Sequence, residues 1–558
     1  MPQKTIFTKY PLLSVPHSFL SCGLIRTDDA PVQKLYQKTQ EYIESPSVWE
    51  GAFRLAALLK DDPMSEPVTG KILEAIGESS DGSFNGRIED QIAVARAALT
   101  VFEYNTDRNI LKRIASWCRY LEVEWDPLFT NGRTLFCPAD LMELLVRFYQ
   151  AGGIKSVLRL CTKLRSTVFD WTTSLHTIQQ IIPLKTMDAE QISFIEQIRI
   201  EELDYDQKQV LLNHAELLAN GIRYSLYSGI FSGNRQDLTA GKTAWNYLKK
   251  HHRAICGGTT AEPFLGGAGS NAKIQTEALA AWTEAFASQM LLPGTEWAAD
   301  ELIRIIYNGL SYCLKSDRIP KYQRVNSVTD PVTGEGAGLY ASVARAVAAA
   351  FRAGITATEN GIRINYLLPA RYLLMIGKQP VVLHSDGQTA MMNMKGETTF
   401  PVAVFRAGTE TASVTIVNGD EKISLTTEAD EGKNGHYIAA ERAWHAQDRI
   451  SFEPNDRVYT ESTHHQGICW FVRNRVMTAQ RGKESFNVAA AETPVIRNGK
   501  AEVRLYRIEG WHEHHGEPED IPVLPGHYQD TENAELIPYA IADKKISMFP
   551  RINPLCLK

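Results

Sequence analysis

One glycine-rich stretch and the acids around it carry the most pointed chemistry in this chain. Cys256-Gly-Gly-Thr-Thr-Ala-Glu-Pro-Phe-Leu-Gly-Gly-Ala-Gly-Ser-Asn271 holds a single acid, Glu262, and Glu277 follows fifteen residues later at the start of a helical stretch. Two convergent carboxyl groups are what cleavage of a glycosidic bond needs. One protonates the leaving oxygen, and the other acts as base or stabilises the cationic transition state. The same spacing suits a solvated loop acid and a helix-start glutamate that satisfies the helix dipole. A loop this long between helices is unusual, and such loops commonly carry function.

Other chemistries find no support. The chain contains no Walker loop, no Gly-x-Gly-x-x-Gly after a strand, no HExxH and no Gly-x-Ser-x-Gly. His512-Glu-His-His515 and His464-His465 lack a nearby cysteine or spaced acid and read as solvated loop histidines. Cys256 beside the loop reads as a buried structural thiol. Trp49, Trp245, Trp282 and Trp297 lie in helical stretches, where core packing is the default. Acidic residues outnumber basic ones, 65 against 59, and no Lys/Arg block occurs, which argues against nucleic acid as partner. The longest apolar stretches contain Glu284, or Arg345 and Arg352, and read as buried helices, so no membrane is expected. Eight scattered cysteines without a CxxC pair suit a reducing compartment, hence a cytoplasmic protein.

These residues need a scaffold, and the pattern supplies one. From about 30 to 355 the chain reads as helix after helix, roughly a dozen. Asp140–Gln150 puts Leu141, Leu144, Leu145, Phe148 and Tyr149 on one face, between Pro138 and Gly152-Gly153. Val48–Leu59, Asp90–Phe102, Asp107–Tyr120, Asp206–Ala219, Ala298–Leu310 and Ala341–Arg352 repeat the period. After Gly354 the period changes to two. Val414 and Ile416, then Ile423 and Leu425, flank the hairpin signal Asn418-Gly419-Asp420. The expected fold is α+β and multidomain: an (α/α)6 helical barrel over 31–357, a C-terminal antiparallel β-sandwich over 358–558, and an extension, 1–30, packing on either. Carbohydrate-active enzymes often use that pairing, an analogy at the level of fold alone.

A family resemblance then enters. Asn213-His-Ala-Glu216, Gly258-Thr-Thr-Ala-Glu-Pro-Phe-Leu-Gly-Gly267, Gln275-Thr-Glu277 and Trp297–Gly309 resemble, in order, motifs of the β-L-arabinofuranosidase family, glycoside hydrolase family 127. Leu135–Glu143 and Ser342–Arg345 are similar to two further segments, so the likeness spans about 130–370. The resemblance implies an (α/α)6 barrel with β-sandwich modules. It implies Glu262 as general acid/base, Glu277 as a glutamate that helps ligate zinc, and His214 as an active-site histidine.

The departures are as informative. The family uses a zinc-bound cysteine thiolate as nucleophile. Here its ligand cysteine is Leu279, its paired cysteines fall near Gly338 and Leu339, and a family histidine is Asp140. A thiolate zinc site needs its sulfur ligands, so no metal and no cofactor are expected. Three alternatives stand. In one, Glu262 is the acid and Asp330 or Glu335, in the loop 327–338, supplies the second carboxylate. In another, Tyr340 is nucleophile or acid. In the third, the cavity only binds sugar. Asp140 is a candidate for a sugar hydroxyl, and His252 and Thr260 are further candidates for substrate contact. The expected activity is hydrolysis of a small oligosaccharide or glycoside. An oligosaccharide lyase and a noncatalytic sugar-binding relative are the alternatives. A homodimer contact through the β-sandwich is a further expectation.

Overall fold

A computed structural model gives the fold. It describes residues 24–550 except 78–81, 126–137, 153, 179–211, 262–263, 268, 270–271, 291, 293–294, 317, 328–329, 358–360, 407–411, 419–420, 428–435, 454–457, 463–466, 481–487 and 509–527. Two kinds of helix alternate along the chain. In order they are α1 (Ala30–Gln40), α2 (Pro46–Leu59), α3 (Pro67–Gly77), α4 (Ile88–Asn105), α5 (Arg108–Val123), α6 (Ala139–Gly152), α7 (Lys155–Thr167), α8 (Trp171–His176), α9 (Ala215–Ser232), α10 (Arg235–His251), α11 (Thr276–Gln289), α12 (Glu296–Arg304) and α13 (Ala337–Gly354).

Odd members of the early series bury one stripe. In α5 the buried residues are Ile110, Ile114, Trp117, Cys118 and Leu121, the spacing of a helix with one wet face. The alternate helices are buried nearly all round: α2 from Val48 to Leu58, and α9 from Leu218 to Phe231. A helix enclosed on every side belongs to an inner layer. The packing closes a ring of six such helices, α2–α4–α6–α9–α11–α13 and back to α2. The stripe-faced helices pack outside it, which is the expected (α/α)6 barrel. Each hairpin reverses the chain, so the inner helices run parallel and their N-termini gather at one mouth. Local signals set the ends. Asp29, Asp107 and Asn234 accept hydrogen bonds from backbone N–H groups at the starts of α1, α5 and α10, and Gly233 closes α9 in the left-handed region.

One expected helix divides. The stretch 298–310 is α12 followed by a π-helical turn, Ile305–Leu310. Side chains meet the displaced carbonyls there. The Asn308 amide donates to Arg304 O at 2.8 Å, and Ser311 Oγ donates to Ile306 O at 2.6 Å. Of the helix expected over 206–219, Leu212 and Asn213 are helical, His214 interrupts and caps a helix that starts at Ala215, and 206–211 lie outside the described residues.

The C-terminal part is built of strands. One sheet runs in the order 24–26, 369–376, 379–386, 389–394, 449–453, 412–418, 421–427. The expected hairpin is its edge, with Asn418 opposite Glu421. A four-stranded sheet, 436–444, 398–406, 362–364, 355–357, contains one parallel pairing, between 362–364 and 402–404. Their buried residues join one apolar cluster with the barrel. A nine-stranded sheet over 459–550 has a core of its own around Trp470, Leu505, Leu536 and Phe549. The N-terminal strand 24–26 pairs with 371–373, and Thr27 N donates to Leu58 O at 2.8 Å, so that segment bridges sheet and barrel. Among the described residues no helix is long and apolar enough to cross a membrane.

The barrel closes where its last inner helix meets its first. A Cβ on Gly51 of α2 would stand 2.8 Å from Ala344 Cβ of α13. Gly51→Val is therefore expected to destabilise the chain by about 1–3 kcal/mol, measured as a lower urea midpoint at unchanged slope.

Candidate active site

The glycine-rich loop is fastened at its root and along its length. Gly257, at φ +95°, fits against the π-helical turn, where a Cβ would stand 2.5 Å from Ile305 Cγ1. Thr260 is buried, and its hydroxyl donates to the carbonyls of Gly266 at 2.8 Å and Gly267 at 3.2 Å. His252 Nδ1 donates to the same Gly266 carbonyl at 2.8 Å. The Thr260 hydroxyl and His252 Nδ1 thus hold the loop's own backbone.

Glu262 lies outside the described residues, but both flanks of it are placed. Ala261 N donates to Lys273 O at 2.8 Å, and Ala261 bridges to Ile274. Phe264 bridges to His214, their rings edge to face at 5.6 Å, and Leu265 N donates to Asn213 O at 2.9 Å. Ala215, Ala261 and Ala278 form one small apolar cluster, packed by Leu265. Those three alanines are the sequence neighbours of His214, Glu262 and Glu277. The fold thus brings three segments, far apart in the chain, to one place at the barrel mouth. Glu277 stands in the first turn of α11, half-buried, and its enclosed carboxyl oxygen Oε2 has no hydrogen-bond partner.

Beneath the mouth the inner helices carry a lattice of charge. Asp140, in the first turn of α6, pairs with both Arg96 and Arg223. Arg223 pairs with Glu284 at 2.5 Å, and Arg345 reaches Glu284 at 3.1 Å. Deeper, Glu50 binds Arg54 at 2.5 Å and Arg96 at 2.9 Å, and Arg147 binds Glu103, Glu143 and Glu50. Asp140 is the most exposed of these, at 35% of its side chain, with Arg345 next at 18%. Burial alone would raise the Asp140 carboxyl, but Arg96, Arg223 and Arg345 outweigh it and hold the group well below the usual carboxylate range. Asp140 is thus a permanent anion, suited to accept a hydroxyl or face developing positive charge, and unsuited to take up a proton near neutral pH. Of this lattice the sequence analysis found Asp140 and missed Arg96, Arg223, Arg345 and Glu284 as site residues. Their signal was present, as charges inside otherwise apolar helices.

The remaining expected residues lie before or in the first turn of α13, at the mouth end of the barrel, and differ in exposure. Asp330 has 79% of its side chain exposed and pairs with Lys544 at 3.6 Å; Glu335 is exposed in the same loop. Tyr340 is buried and stacks on Tyr42 at 5.2 Å, so it serves the contact of α13 with the outer layer. Cys256 is fully buried, and burial pushes its thiol up to about 12, as expected of a structural cysteine. Trp245 and Trp282 pack with Phe286 in the core. His464-His465 and His512–His515 lie outside the described residues.

The zinc of the resembling family can be tested against these donors. Glu277 has an orphaned oxygen, but Leu279 and Leu339 are buried hydrocarbon and Gly338 has no side chain. The neighbouring Cys313 thiol is pushed up to about 12 by burial. Among the described residues no group of three histidines, cysteines or acids could hold a metal. The residues present do not fit a thiolate zinc centre.

No sequence-family model matches the chain, and no curated protein matches it by sequence. Solved structures do. A family 127 β-L-arabinofuranosidase from Geobacillus stearothermophilus superposes with a TM-score of 0.66 at 15% identity, over 93% of this chain and 94% of that one. A second family 127 β-arabinofuranosidase gives 0.64 at 14%, over 100% and 93%, and a protein described as a glycoside hydrolase gives 0.68 at 12%, over 95% and 97%. The chain therefore has the fold of the family 127 β-L-arabinofuranosidases, as the motif resemblance implied.

Two outcomes test the site's construction. Glu284→Gln strips Arg223 and Arg345 of a shared buried anion and is expected to cost about 3–5 kcal/mol, read from chemical denaturation. Burial lowers the His252 pKa, against the opposing pull of the Gly266 carbonyl. The unfolded chain then takes up this proton below about pH 6.5 while the folded one does not. Stability is therefore expected to fall as pH drops through that window, and His252→Gln should flatten the slope of urea midpoint against pH.

Proposed function

We propose that the protein is a glycoside hydrolase acting on a small oligosaccharide or glycoside, with Glu262 as general acid and Glu277 as the second carboxylate. The observation that carries this is the anchoring of both flanks of position 262 onto the segments bearing His214 and Glu277. Glu277 is preferred to Asp330 and Glu335 because it is half-buried with its Oε2 enclosed and without a hydrogen-bond partner, while their side chains face solvent. In the reaction Glu262 gives its proton to the glycosidic oxygen as the bond to the anomeric carbon breaks. Water adds to that carbon and releases its proton to a carboxylate, leaving a hemiacetal sugar and an alcohol. Asp140 stays ionised and accepts a sugar hydroxyl; His214 lines the same mouth. The likeness to β-L-arabinofuranosidases makes a β-L-arabinofuranoside the first substrate to try. No step runs through a metal.

A panel of aryl glycosides, led by the β-L-arabinofuranoside, tests the reading. With a poor leaving group, Glu262→Gln is expected to lower kcat/KM by about 10²–10⁴, and by much less with an activated one. Glu277→Gln should depress both. Sugars bound by calorimetry but never cleaved would make the chain a sugar-binding relative, and undiminished turnover by Glu262→Gln would remove the assigned acid.

A further inference from the structure

The short ribbon that leads the chain into α11 has one basic face. Its strand Lys273–Gln275 pairs antiparallel with Tyr322–Arg324. On the other edge Ala261 bridges to Ile274 and donates its N–H to Lys273 O at 2.8 Å. Both strands alternate half-buried, buried, half-buried. Ile274 and Gln323 are therefore the inward residues, and the Gln323 amide donates to Gly309 O at 2.9 Å. Lys273, Gln275, Tyr322 and Arg324 share the opposite, wetter face. Lys321, just before Tyr322, is exposed.

The charges on that face oppose one another. Lys273 and Arg324 stand directly across the ribbon, and like charges so placed destabilise a strand pair. Lys273 Nζ and Lys321 Nζ both lie over the Tyr322 ring, at 5.6 and 5.5 Å, which gathers two ammonium groups at one place. Lys321 and Arg324 make no ion pair among the described residues. Of the acids in the adjoining segments, Asp330 pairs with Lys544, Glu335 is exposed, and Glu277 belongs to the mouth. The position is as pointed as the charge. Ala261 precedes the proposed acid, and Glu277 follows Gln275 by two residues. Neighbouring strands lie about 4.8 Å apart, so Arg324 stands about 10 Å across the sheet from the chain at Ala261. A sugar adjoining the cleaved bond spans that distance.

We propose that this face binds the carboxylate of an acidic sugar, so that the substrate is a glycoside containing a uronic acid. The inference rests on the reading of the mouth as a sugar site and adds the class of sugar. The Arg324 guanidinium donates two parallel hydrogen bonds to the planar carboxylate, and Lys321 and Lys273 add their positive field. The bound anion also screens Lys273 from Arg324, so binding relieves a repulsion that the free ribbon carries. A sulfate or phosphate ester brings the same sign of charge without the planar two-oxygen edge.

The test is calorimetry on the full chain carrying Glu262→Gln, with disaccharides in matched pairs. Glucuronate, galacturonate and mannuronate are each set beside the neutral hexose and its 6-sulfate and 6-phosphate. One uronate is expected to bind about tenfold or more tightly than its neutral partner, and the preference should shrink as salt rises from about 50 to 500 mM. Arg324→Gln and Lys321→Gln should each remove most of the preference and leave the neutral affinity unchanged. Arg324→Gln also ends the cross-strand repulsion, so its urea midpoint should hold or rise. Should it fall, the exposed Lys321→Gln carries the test. Equal affinities within every pair, tighter binding of a sulfated or phosphorylated sugar, no binding of any sugar, or a preference that survives the substitutions would each overturn the proposal. A uronate preference in a wild-type chain that cleaves no glycoside would count against the hydrolase reading alone. Cleavage of neutral glycosides without a uronate preference would count against this inference alone.

Discussion

The barrel depends on a lattice of paired charge at its centre. Six parallel helices that enclosed only hydrocarbon could slide and rotate against one another with small changes in packing. Guanidinium–carboxylate pairs remove that freedom, because each needs a fixed direction and a fixed partner. Here the pairs cross helices: Glu50 of α2 with Arg96 of α4 and Arg147 of α6, Asp140 of α6 with Arg223 of α9, Glu284 of α11 with Arg345 of α13. Every inner helix contributes. The gain is in register rather than in net stability, since the desolvation of buried ion pairs offsets much of their attraction.

That register is what positions the mouth. Asp140, His214 and Glu277 each stand at the start of an inner helix. A shift of one helix by a turn would carry its residue more than 5 Å away. The glycine-rich loop adds the fourth segment, and it is held from two sides. His252 and Thr260 hold its chain to itself, and its root at Gly257 rests on the π-helical turn. That turn is in turn gripped by the nine-stranded sheet: Asn308 donates to Asn474 O at 3.0 Å and accepts from Val476 N at 2.7 Å. Arg253 and Arg304 meet at Glu461 of the same sheet. The second β unit thus braces the loop that carries Glu262.

The fold and the donors point in different directions, and both matter. The fold is that of the family 127 β-L-arabinofuranosidases. The positions where that resemblance expects sulfur hold Leu279, Gly338 and Leu339. Leu279 is packed against Gly309, whose absent Cβ would meet its Cδ2 at 2.8 Å. Hydrocarbon occupies that place.

By itself the sequence determined the elements and their kind. Period 3.6 before Gly354 and period 2 after it separate barrel from sheets, and the Asn418 hairpin is legible because turn chemistry is local. Ordered motifs also identified the loop and the helix starts that meet it. The sequence could not tell that Asp330 and Glu335 face solvent, or that Tyr340 turns towards the outer layer, because periodicity gives a face and not its neighbour. It could not foresee the π-turn, which depends on Asn308 finding Asn474 and Val476 some 166 and 168 residues away. Above all it showed Arg96, Arg223, Glu284 and Arg345 only as charges in apolar helices. Pairing is a property of helices brought together, so only the closed ring decided which charge neutralises which.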